Sequence, residues 1–482
     1  MEFNTLFFIF LFLPIFIFLI YIIKNNNIRN LIVLSFSLVF YIFGDYKHFI
    51  ILILEIVLAY IFAKLCEKKK NYYFLYLLLT VAILSYYKYG NYLLISLNSF
   101  IKEPNLDKII MPLGISFYTF TSISYVSDIY YEKYQAENNI LNLATYISFF
   151  PAVISGPLIK YDNFKTFLEH KEINSDNIAN GLRRFIIGLA KKVLIANQLA
   201  LIASTIITDT TEYSFLLSWY AFIAYGMQEY YDFSGYSDMA ISIGQMMGYT
   251  MPENFDNPYF SHSIAEYWRR WHMSLGTWFN DYVFVSIAFS KTLRNISKKF
   301  SNKKTGRTFV KIVSLLAVWM LTGIWHGAEL NYFLWGLLNG LIIIADASFG
   351  NGYKKMREFF HIHPNSKLFK AFQILRTDLI LFSMKSFFFK CANLNQVKSL
   401  FKGLIGLGSP FNYSYVVNLD VLYLIIYVVL GFILLFPSIK KKLLSISFKA
   451  GYIYDLALCG ILFISIAYIV SGSYSAFLYF SF

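Results

Sequence analysis

The chain has 482 residues, of which 57% are hydrophobic, 20% aromatic and 15% charged. This balance excludes a set of ordinary soluble domains, because so apolar a chain has lipid rather than water as its solvent. The formal net charge of +14 favours basic loops on the cytoplasmic side of a membrane over a nucleic-acid surface. Three cysteines without metal-ligand spacing predict neither a disulfide framework nor a zinc site. We therefore predict a multi-pass protein of the cell membrane that binds no nucleic acid.

Apolar runs close to the ~20 residues that span a bilayer recur along the whole chain. We expect an all-α integral membrane protein with about 11–13 transmembrane and re-entrant helices. Very short loops separate the first four runs and predict antiparallel neighbouring helices at 6–23, 31–43, 49–65 and 72–87. Basic residues in the first and third loops place the N-terminus outside. The polar stretch 88–110 is then predicted to be an extracellular connection.

Two later segments carry features that do not suit lipid contact. Segment 111–131 contains six serine or threonine residues, with a proline and a glycine near its start. We expect it to pack closely against other helices or to line a cavity. Two prolines and a glycine interrupt segment 148–161. Such broken backbone at membrane depth is tolerated only where protein or water covers it.

The densest polar cluster lies within the apolar run 219–248. Gln228, Glu229, Asp232 and Asp238 fall within eleven residues of one another. Carboxylates at this depth need partners, so they either fix the fold through buried hydrogen bonds or line an aqueous cavity. We predict a structural role for Glu229 and a site-lining role for Asp232 and Asp238.

The segment 264–284 is too polar to span a bilayer and too aromatic for an ordinary loop. An interfacial or re-entrant helix fits it best, with its tryptophans at headgroup depth. On such a helix Trp268, His272 and Leu275 share one face. Two interpretations of His272 remain open, a structural histidine at the interface or a member of a reaction site.

A basic stretch, 286–311, contains eight lysine or arginine residues and no acidic residue. We expect a solvated cytoplasmic loop, whose charge also suits an anionic donor such as coenzyme A or a phosphopantetheine carrier. A helix that starts from this loop carries His326 about 15 residues into the membrane. That depth is more than half of a ~30 Å hydrocarbon core, so His326 is also accessible from the far side.

His326 is the ionisable residue with the strongest claim to function. It lies inside the run 321–340, which is otherwise apolar enough for a membrane, and an ionisable group at that depth is costly. The structural alternative is an imidazole that bonds to a backbone carbonyl. Trp325, Gly327 and Asn331 favour a reactive role, because small and polar groups let water or substrate approach. An imidazole of ordinary pKa near ~6.5 accepts the proton of an alcohol, so we assign His326 as the candidate general base.

Several motifs resemble the membrane-bound O-acyltransferase family, in particular its bacterial branch of alginate O-acetylase-like proteins. The resemblance runs from the N-terminus to about residue 348. Its fold implies a ring of membrane and re-entrant helices around a central tunnel, where a cytoplasmic acyl thioester meets an acceptor from outside. The most specific segments are MPLGISFYTF, SFFPAVISGPLIKY, GLRRFIIGLAKKVLIA, YDFSGYSDMAI, PENFDNPYF, EYWRRWHMSLGTW and LTGIWHGAELNYFLWGLLNG.

The resemblance also implies a division of the chain and a set of site residues. Residues 1–348 form the core with the catalytic tunnel, and residues 349–482 are C-terminal helices that complete the same membrane domain. His326 matches the signature membrane histidine of the family, and His272 matches its second functional histidine. The side chains expected to line the substrate tunnel are Trp325, Asn331, Asp232, Asp238, Ser234, Tyr236, Trp268 and Trp271.

The implied reaction is transfer of an acyl group, in this branch an acetyl group, to a cell-surface or secreted polysaccharide. The donor is acetyl-CoA or an acyl-carrier thioester, and a separate extracytoplasmic acyltransferase is the expected partner. His326 takes the proton of the acceptor, while His272 positions or polarises the acyl group. A thiolate leaves more readily than the attacking alcohol, so the reaction requires neither a metal nor a bound cofactor.

Two other functions fit parts of the same pattern. D-alanyl transfer to teichoic acid from a carrier protein shares the W-H-M-S-L and membrane-histidine motifs. A polysaccharide or lipid transporter is the rival from another class, with the histidine coupling export to protons. Transporters often show two repeated halves with matching broken helices, and no convincing repeat is present in this sequence.

Overall fold

The structure is a computed structural model that describes residues 1–101, 109–170, 172–208, 213–348, 350–363, 365–412, 421–439, 441–442 and 451–472. In these ranges all regular secondary structure is helical, apart from one isolated antiparallel bridge between Phe255 and Trp271. The predicted all-α class is therefore confirmed.

The first part of the chain is built from helices joined by short connections. A π-helical stretch, Phe8–Phe12, leads into the first α-helix, and another, Lys191–Ala196, joins the eighth to the ninth. The α-helices are α1 (Leu13–Ile22), α2 (Asn26–Asp45), α3 (Phe49–Lys68), α4 (Tyr72–Ile101), α5 (Ile115–Tyr130), α6 (Ile140–Ile147), α7 (Tyr161–Glu169), α8 (Ser175–Ala190), α9 (Asn197–Thr208) and α10 (Phe215–Met246).

Short and long helices alternate in the second part. Two π-helical segments, Asn280–Phe284 and Ser386–Lys390, extend the twelfth and the eighteenth α-helix. The α-helices are α11 (Ile264–Arg270), α12 (Met273–Phe279), α13 (Val285–Ala288), α14 (Lys291–Lys298), α15 (Lys303–His326), α16 (Leu330–Ser348), α17 (Gly350–Phe359), α18 (Lys367–Lys385), α19 (Leu394–Leu404), α20 (Val421–Leu435) and α21 (Tyr452–Val470).

Several of these helices are suited to a membrane by length and composition. Five in the described ranges are long and apolar enough to cross one, namely α2, α3, the run Ser175–Ile207, α15 and α21. Shorter apolar helices lie at Phe8–Ile22, Leu330–Asp346 and Ile425–Leu435. The protein is thus an integral membrane protein with several apolar helices.

The described residues form two compact units. The first comprises Met1–Gly188 and Tyr236–Glu253, and the second comprises Leu189–Gly235 and the described part of Asn254–Leu478. Both histidines singled out from the sequence belong to the second unit. The division at residue 348 inferred from the family resemblance stays a prediction.

The first unit contains the segment that was predicted to avoid lipid. Every residue of α5 from Ile115 to Ile129 is buried, which confirms the prediction for segment 111–131. Gly114, which precedes this helix, has φ +71° and packs against the backbone of Val153 and Ile154. A side chain at Gly114 would clash with these atoms, so the glycine lets the broken segment 148–161 lie directly against the start of α5.

One predicted loop is helical instead. Helix α4 continues to Ile101, so the expected end of this helix at residue 87 is wrong. Residues 102–108 lie outside the described residues, and the extracellular side of 88–110 stays a prediction. Asn91 shows how a polar residue is accommodated here. Its side-chain amide donates to the carbonyl of Ile109 at 2.6 Å and accepts from the N–H of Ile109 at 2.7 Å. A polar residue with such a partner does not end a helix.

The basic stretch 286–311 is also helical rather than a loop. Ser290 caps α14 by accepting a hydrogen bond from the N–H of Leu293 at 3.3 Å, and Asn302 caps α15 in the same way through Lys304 at 2.8 Å. Such caps stabilise helix starts. None of the residues of α14 is buried, as expected for this part of the basic stretch, and its cytoplasmic side stays a prediction.

Candidate active site

A tight hairpin of two helices positions His326. Helix α15 ends at this residue, and α16 begins four residues later at Leu330. The two backbones touch at glycines: a Cβ atom on Gly336 would lie 3.0 Å from the Cα of Gly323 and would clash with the carbonyl of Trp319. Small residues allow such close approach of membrane helices. The hairpin therefore fixes the imidazole of His326 against α16.

Aromatic rings surround His326. Its ring centroid lies 4.7 Å from that of Trp325, 5.0 Å from that of Trp335 and 5.1 Å from that of Phe389. Tyr332 stacks at 6.4 Å, and His326 itself is only 8% exposed. Phe389 comes from the π-helical segment after α18. The imidazole thus lies in an apolar environment, which strengthens any hydrogen bond made there.

One face of α16 presents polar groups toward this region. Asn331, Trp335 and Asn339 are spaced by four residues and share that face. The side chain of Asn331 donates to the carbonyl of Phe388 at 2.8 Å, and that of Asn339 donates to the carbonyl of Trp335 at 2.9 Å. Asn339 also accepts from the indole N–H of Trp268 at 3.2 Å.

His272 lies at a break between two helices. It adopts φ +48°, in the left-handed region, between α11 and α12. The prediction that Trp268, His272 and Leu275 share the face of one helix is therefore wrong. The cause is tertiary pairing with residues 254 and 255. The backbone N–H of Met273 donates to the carbonyl of Asn254 at 3.0 Å, and Trp271 forms an antiparallel bridge with Phe255.

Asn254 also determines the tautomer of His272. Its Oδ1 accepts hydrogen bonds from the backbone N–H of Ser274 at 3.2 Å and from the hydroxyl of Ser274 at 2.7 Å. The Nδ1 of His272 lies 3.4 Å from the same oxygen. Since a carbonyl oxygen only accepts, Nδ1 carries the proton and Nε2 keeps its lone pair. The ring is 4% exposed and packs edge-on against Phe233 at 4.6 Å.

Helix α11, which ends two residues before His272, packs against an aromatic ring that contacts His326. Trp268 of α11 contacts Trp335 with ring centroids 5.7 Å apart, and Trp335 contacts His326. The hydrogen bond from Trp268 to Asn339 adds a polar link between α11 and α16. The structure therefore brings the two histidine-bearing segments together in one unit.

Buried ion pairs surround the polar cluster of α10. Lys192 donates to Asp232, and both side chains are almost completely buried. Lys385 of α18 lies 2.7 Å from Glu229 and 3.5 Å from the ring centroid of Trp271. Lys385 is thus the partner that was expected for the Glu229 carboxylate, although no sequence motif predicted this lysine.

The membrane-bound O-acyltransferase family model matches residues 136–389, a range that contains both histidines and the polar cluster. The chain belongs to this family. It is 35% identical over 370 residues to a probable alginate O-acetylase of Pseudomonas aeruginosa, a match that covers 73% of this chain and 66% of the relative. This chain is therefore a membrane O-acyltransferase.

Two further relatives carry other names. The chain is 29% identical to a peptidoglycan O-acetyltransferase of Helicobacter pylori over 100% of its own length and 97% of the relative. It is 30% identical to a teichoic acid D-alanyltransferase of Bacillus subtilis over 51% of its length and 61% of the relative. By their names, these relatives transfer acetyl or D-alanyl groups to alginate, peptidoglycan or teichoic acid.

The residues predicted to line the tunnel of this O-acyltransferase are divided between the units. Tyr236 and Asp238 belong to the first unit. There Tyr236 stacks on Phe3 at 4.9 Å, and Asp238 accepts from Arg184 at 2.7 Å. Six predicted tunnel residues belong to the second unit with both histidines: Trp325, Asn331, Asp232, Ser234, Trp268 and Trp271.

The roles assigned to these residues stay predictions, as does the absence of a metal from the reaction. In the part of the chain that the structure describes, no three histidine, cysteine or acidic side chains come close enough to hold a metal ion. Trp335, Phe389, Lys192 and Lys385 were not predicted from the sequence. A tryptophan or phenylalanine in an apolar run carries no local signal that separates it from lipid-facing residues.

Acid should destabilise this O-acyltransferase through His272, which lies outside the helices able to span a membrane. Burial lowers the pKa of His272 to about 3, whereas an unfolded histidine titrates near ~6.5. Between these values the unfolded state binds one more proton, so stability falls as the pH falls, by ~1.4 kcal/mol per pH unit. His272→Asn, which tolerates a positive φ, is expected to flatten this slope.

The measurement is the unfolding midpoint of each variant in the same lipid from about pH 6 to about pH 4.5, a window inside the range between the two pKa values. His170→Gln serves as the control, because His170 is exposed and its replacement should leave the slope as in the wild type. Equal slopes in wild type and His272→Asn would contradict a buried, neutral His272.

Proposed function

We propose that this protein transfers an acetyl group from a cytoplasmic thioester, acetyl-CoA or an acyl carrier, to a hydroxyl of a cell-surface or secreted polysaccharide. The observation that carries the proposal is His326, a buried imidazole at the end of a membrane-length helix in a chain of the O-acyltransferase family. The bacterial relatives support a location in the bacterial plasma membrane.

In the proposed mechanism His326 is the general base. Its imidazole takes the proton of the acceptor hydroxyl while the oxygen attacks the thioester carbonyl. The tetrahedral intermediate then breaks its carbon–sulfur bond, and the imidazolium returns a proton to the leaving thiolate. The aromatic rings around His326 exclude bulk water, which limits hydrolysis of the thioester.

His272 is proposed to position the acyl donor rather than to polarise its carbonyl, which would require a hydrogen-bond donor. Its Nδ1–H is directed at Asn254, so Nε2 is an acceptor that can orient a donor hydrogen of a substrate. Asp232 is proposed to order the site rather than react, because Lys192 already binds it, while Asp238 is bound by Arg184 within the first unit. A separate extracytoplasmic acyltransferase is the proposed partner protein.

Acetyl transfer is supported over D-alanyl transfer by the extent of the matches. The two O-acetyl-transferring relatives match 73% and 100% of the chain, whereas the D-alanyltransferase matches 51%. D-alanyl transfer to teichoic acid remains the second candidate, because that relative is also 30% identical. Membership of an enzyme family counts against the transporter, which has no need of a thioester.

The test is release of free thiol by purified protein in lipid nanodiscs, with acetyl-CoA and a D-alanyl carrier protein as separate donors and a soluble polysaccharide as the hydroxyl acceptor. Wild type is expected to release coenzyme A from acetyl-CoA, and His326→Ala to lower the rate by at least about 100-fold, because a general base contributes that much. The exposed His170→Ala is the matched control, and thermal melting confirms that each variant is folded.

Each result has a definite meaning. Thiol release from the D-alanyl carrier alone would favour the second candidate. Release that persists unchanged in a folded His326→Ala protein would overturn the proposed role of this histidine.

A further inference from the structure

Trp335 presents a buried hydrogen-bond donor that the fold does not use. Its side chain is 4% exposed, and its indole N–H has no acceptor among the described residues. A buried donor without an acceptor is costly, and such groups in native proteins call for an explanation such as a catalytic role. The ring of Trp335 lies 5.0 Å from that of His326.

The same end of α16 holds a buried acceptor. The Oδ1 atom of Asn331 has no donor among the described residues, although its amide nitrogen bonds to the carbonyl of Phe388. Asn331 lies one helical turn before Trp335 on the same face. Asn331 is thereby linked to the segment next to His326, because Phe389 directly follows Phe388 and its ring centroid lies 5.1 Å from that of His326.

The next residue on this face provides an internal comparison. Asn339, one turn beyond Trp335, uses both ends of its amide, accepting from Trp268 and donating to the carbonyl of Trp335. Both the oxygen and the nitrogen of the Asn339 amide are therefore used. The unused donor and acceptor of this face occur at the end nearest His326, where a polar ligand is needed to satisfy them.

We propose that Trp335 is a catalytic residue that donates its indole N–H to the carbonyl oxygen of the acyl thioester. This inference rests on the proposed function, since it requires an acyl donor beside His326. A donor fixed before the reaction stabilises the negative charge that develops on that oxygen. The side-chain oxygen of Asn331 can then accept a hydrogen bond from the acyl donor or the acceptor.

The step balances without any further reactant. The acceptor oxygen forms a bond to the carbonyl carbon as His326 takes its proton, and the C=O electron pair moves onto oxygen, where Trp335 binds it. The pair then re-forms the carbonyl, the carbon–sulfur bond breaks, and the thiolate takes the proton from His326. Products are the acetyl ester and free thiol.

The test compares Trp335→Phe with Trp319→Phe in the nanodisc assay with acetyl-CoA. Trp319 belongs to the same ring cluster, where its ring contacts Trp268 and Trp335 rather than His326. Trp335→Phe is expected to lower kcat by about 100-fold, as removal of one oxyanion donor does, with little change in KM. Trp319→Phe is expected to keep a kcat close to that of the wild type.

A second readout separates charge stabilisation from packing. A phosphonate analogue of coenzyme A mimics the tetrahedral anion, whereas a thioether analogue lacks the carbonyl oxygen. Trp335→Phe should weaken binding of the phosphonate by about the factor lost in kcat and leave binding of the thioether unchanged. If Trp335→Phe does not fold, site-specific benzothienylalanine, which replaces the indole N–H by sulfur, tests the same atom.

A folded variant without the N–H that keeps wild-type kcat would overturn this inference while the proposed function stands. Equal weakening of both analogues would also overturn it, because packing alone would then explain the loss. A wild-type protein that releases no thiol would instead overturn the proposed function and this inference with it.

Discussion

Glu229→Gln is expected to destabilise the protein by about 3–5 kcal/mol, because it leaves the ammonium of Lys385 buried without its counter-charge. The two side chains are 14% and 5% exposed, and their charged atoms lie 2.7 Å apart. The ring of Trp271 lies 3.5 Å from the ammonium. That contact contributes less than the carboxylate, so it cannot replace it. Chemical unfolding in lipid–detergent micelles measures the change.

The control is the double variant Glu229→Gln with Lys385→Met. Removal of both charges should recover most of the lost stability, since the buried ammonium that lost the Glu229 carboxylate is then absent. A second control is Glu358→Gln, which breaks the exposed pair with Lys354 on α17 and is expected to have little effect. A double variant as unstable as the single one would show that Glu229 acts through something other than this pair.

The same ion pair has a consequence for activity. Trp271 immediately precedes His272, and Lys385 immediately precedes the π-helical segment that carries Phe389 to His326. The pair therefore ties together the chain segments that place both histidines. We expect Glu229→Gln to lower the rate of thiol release even at temperatures at which the variant stays folded.

The helices and the burial of His326 could be predicted because they depend on local features. Apolar runs of membrane length identified α2, α3 and α15, and the depth of His326 followed from its distance to the preceding charges. The polar character of 88–101 and of α14 suggested non-helical connections. Both are helical, because a helix accommodates polar residues that are hydrogen-bonded or exposed to solvent. A local sequence pattern predicts that a helix is present more reliably than it predicts the residues at which the helix begins and ends.

Long-range pairing was not predictable in the same way. Glu229 and Lys385 are far apart in the sequence, and no motif around Lys385 marks it as a partner. The break at His272 arises from pairing with Asn254, whereas its neighbours form an ordinary helical pattern. Whether the indole N–H of Trp335 has an acceptor depends on the residues packed around the ring, and the sequence does not identify those residues. Tertiary contacts decide these features and override local preference.

Gly336→Ala is expected to prevent the hairpin of α15 and α16 from closing, with a loss of about 3 kcal/mol or more. Its Cβ would lie 3.0 Å from the Cα of Gly323 and would clash with the carbonyl of Trp319. Both are backbone atoms of α15, so no side-chain rotation relieves the clash. Separation of the helices would move His326 away from Trp335, and thiol release should disappear with the folded protein.

Gly460→Ala is the matched control for this substitution. Gly460 lies in the apolar helix α21, and a Cβ there would meet nothing within 4 Å. Its replacement is expected to be neutral or to stabilise by at most ~1 kcal/mol, because alanine favours a helix more than glycine does. Unfolding midpoints and thiol release of both variants decide the matter. If Gly336→Ala matched Gly460→Ala in both, the close contact of α15 with α16 would not be what holds His326 in place.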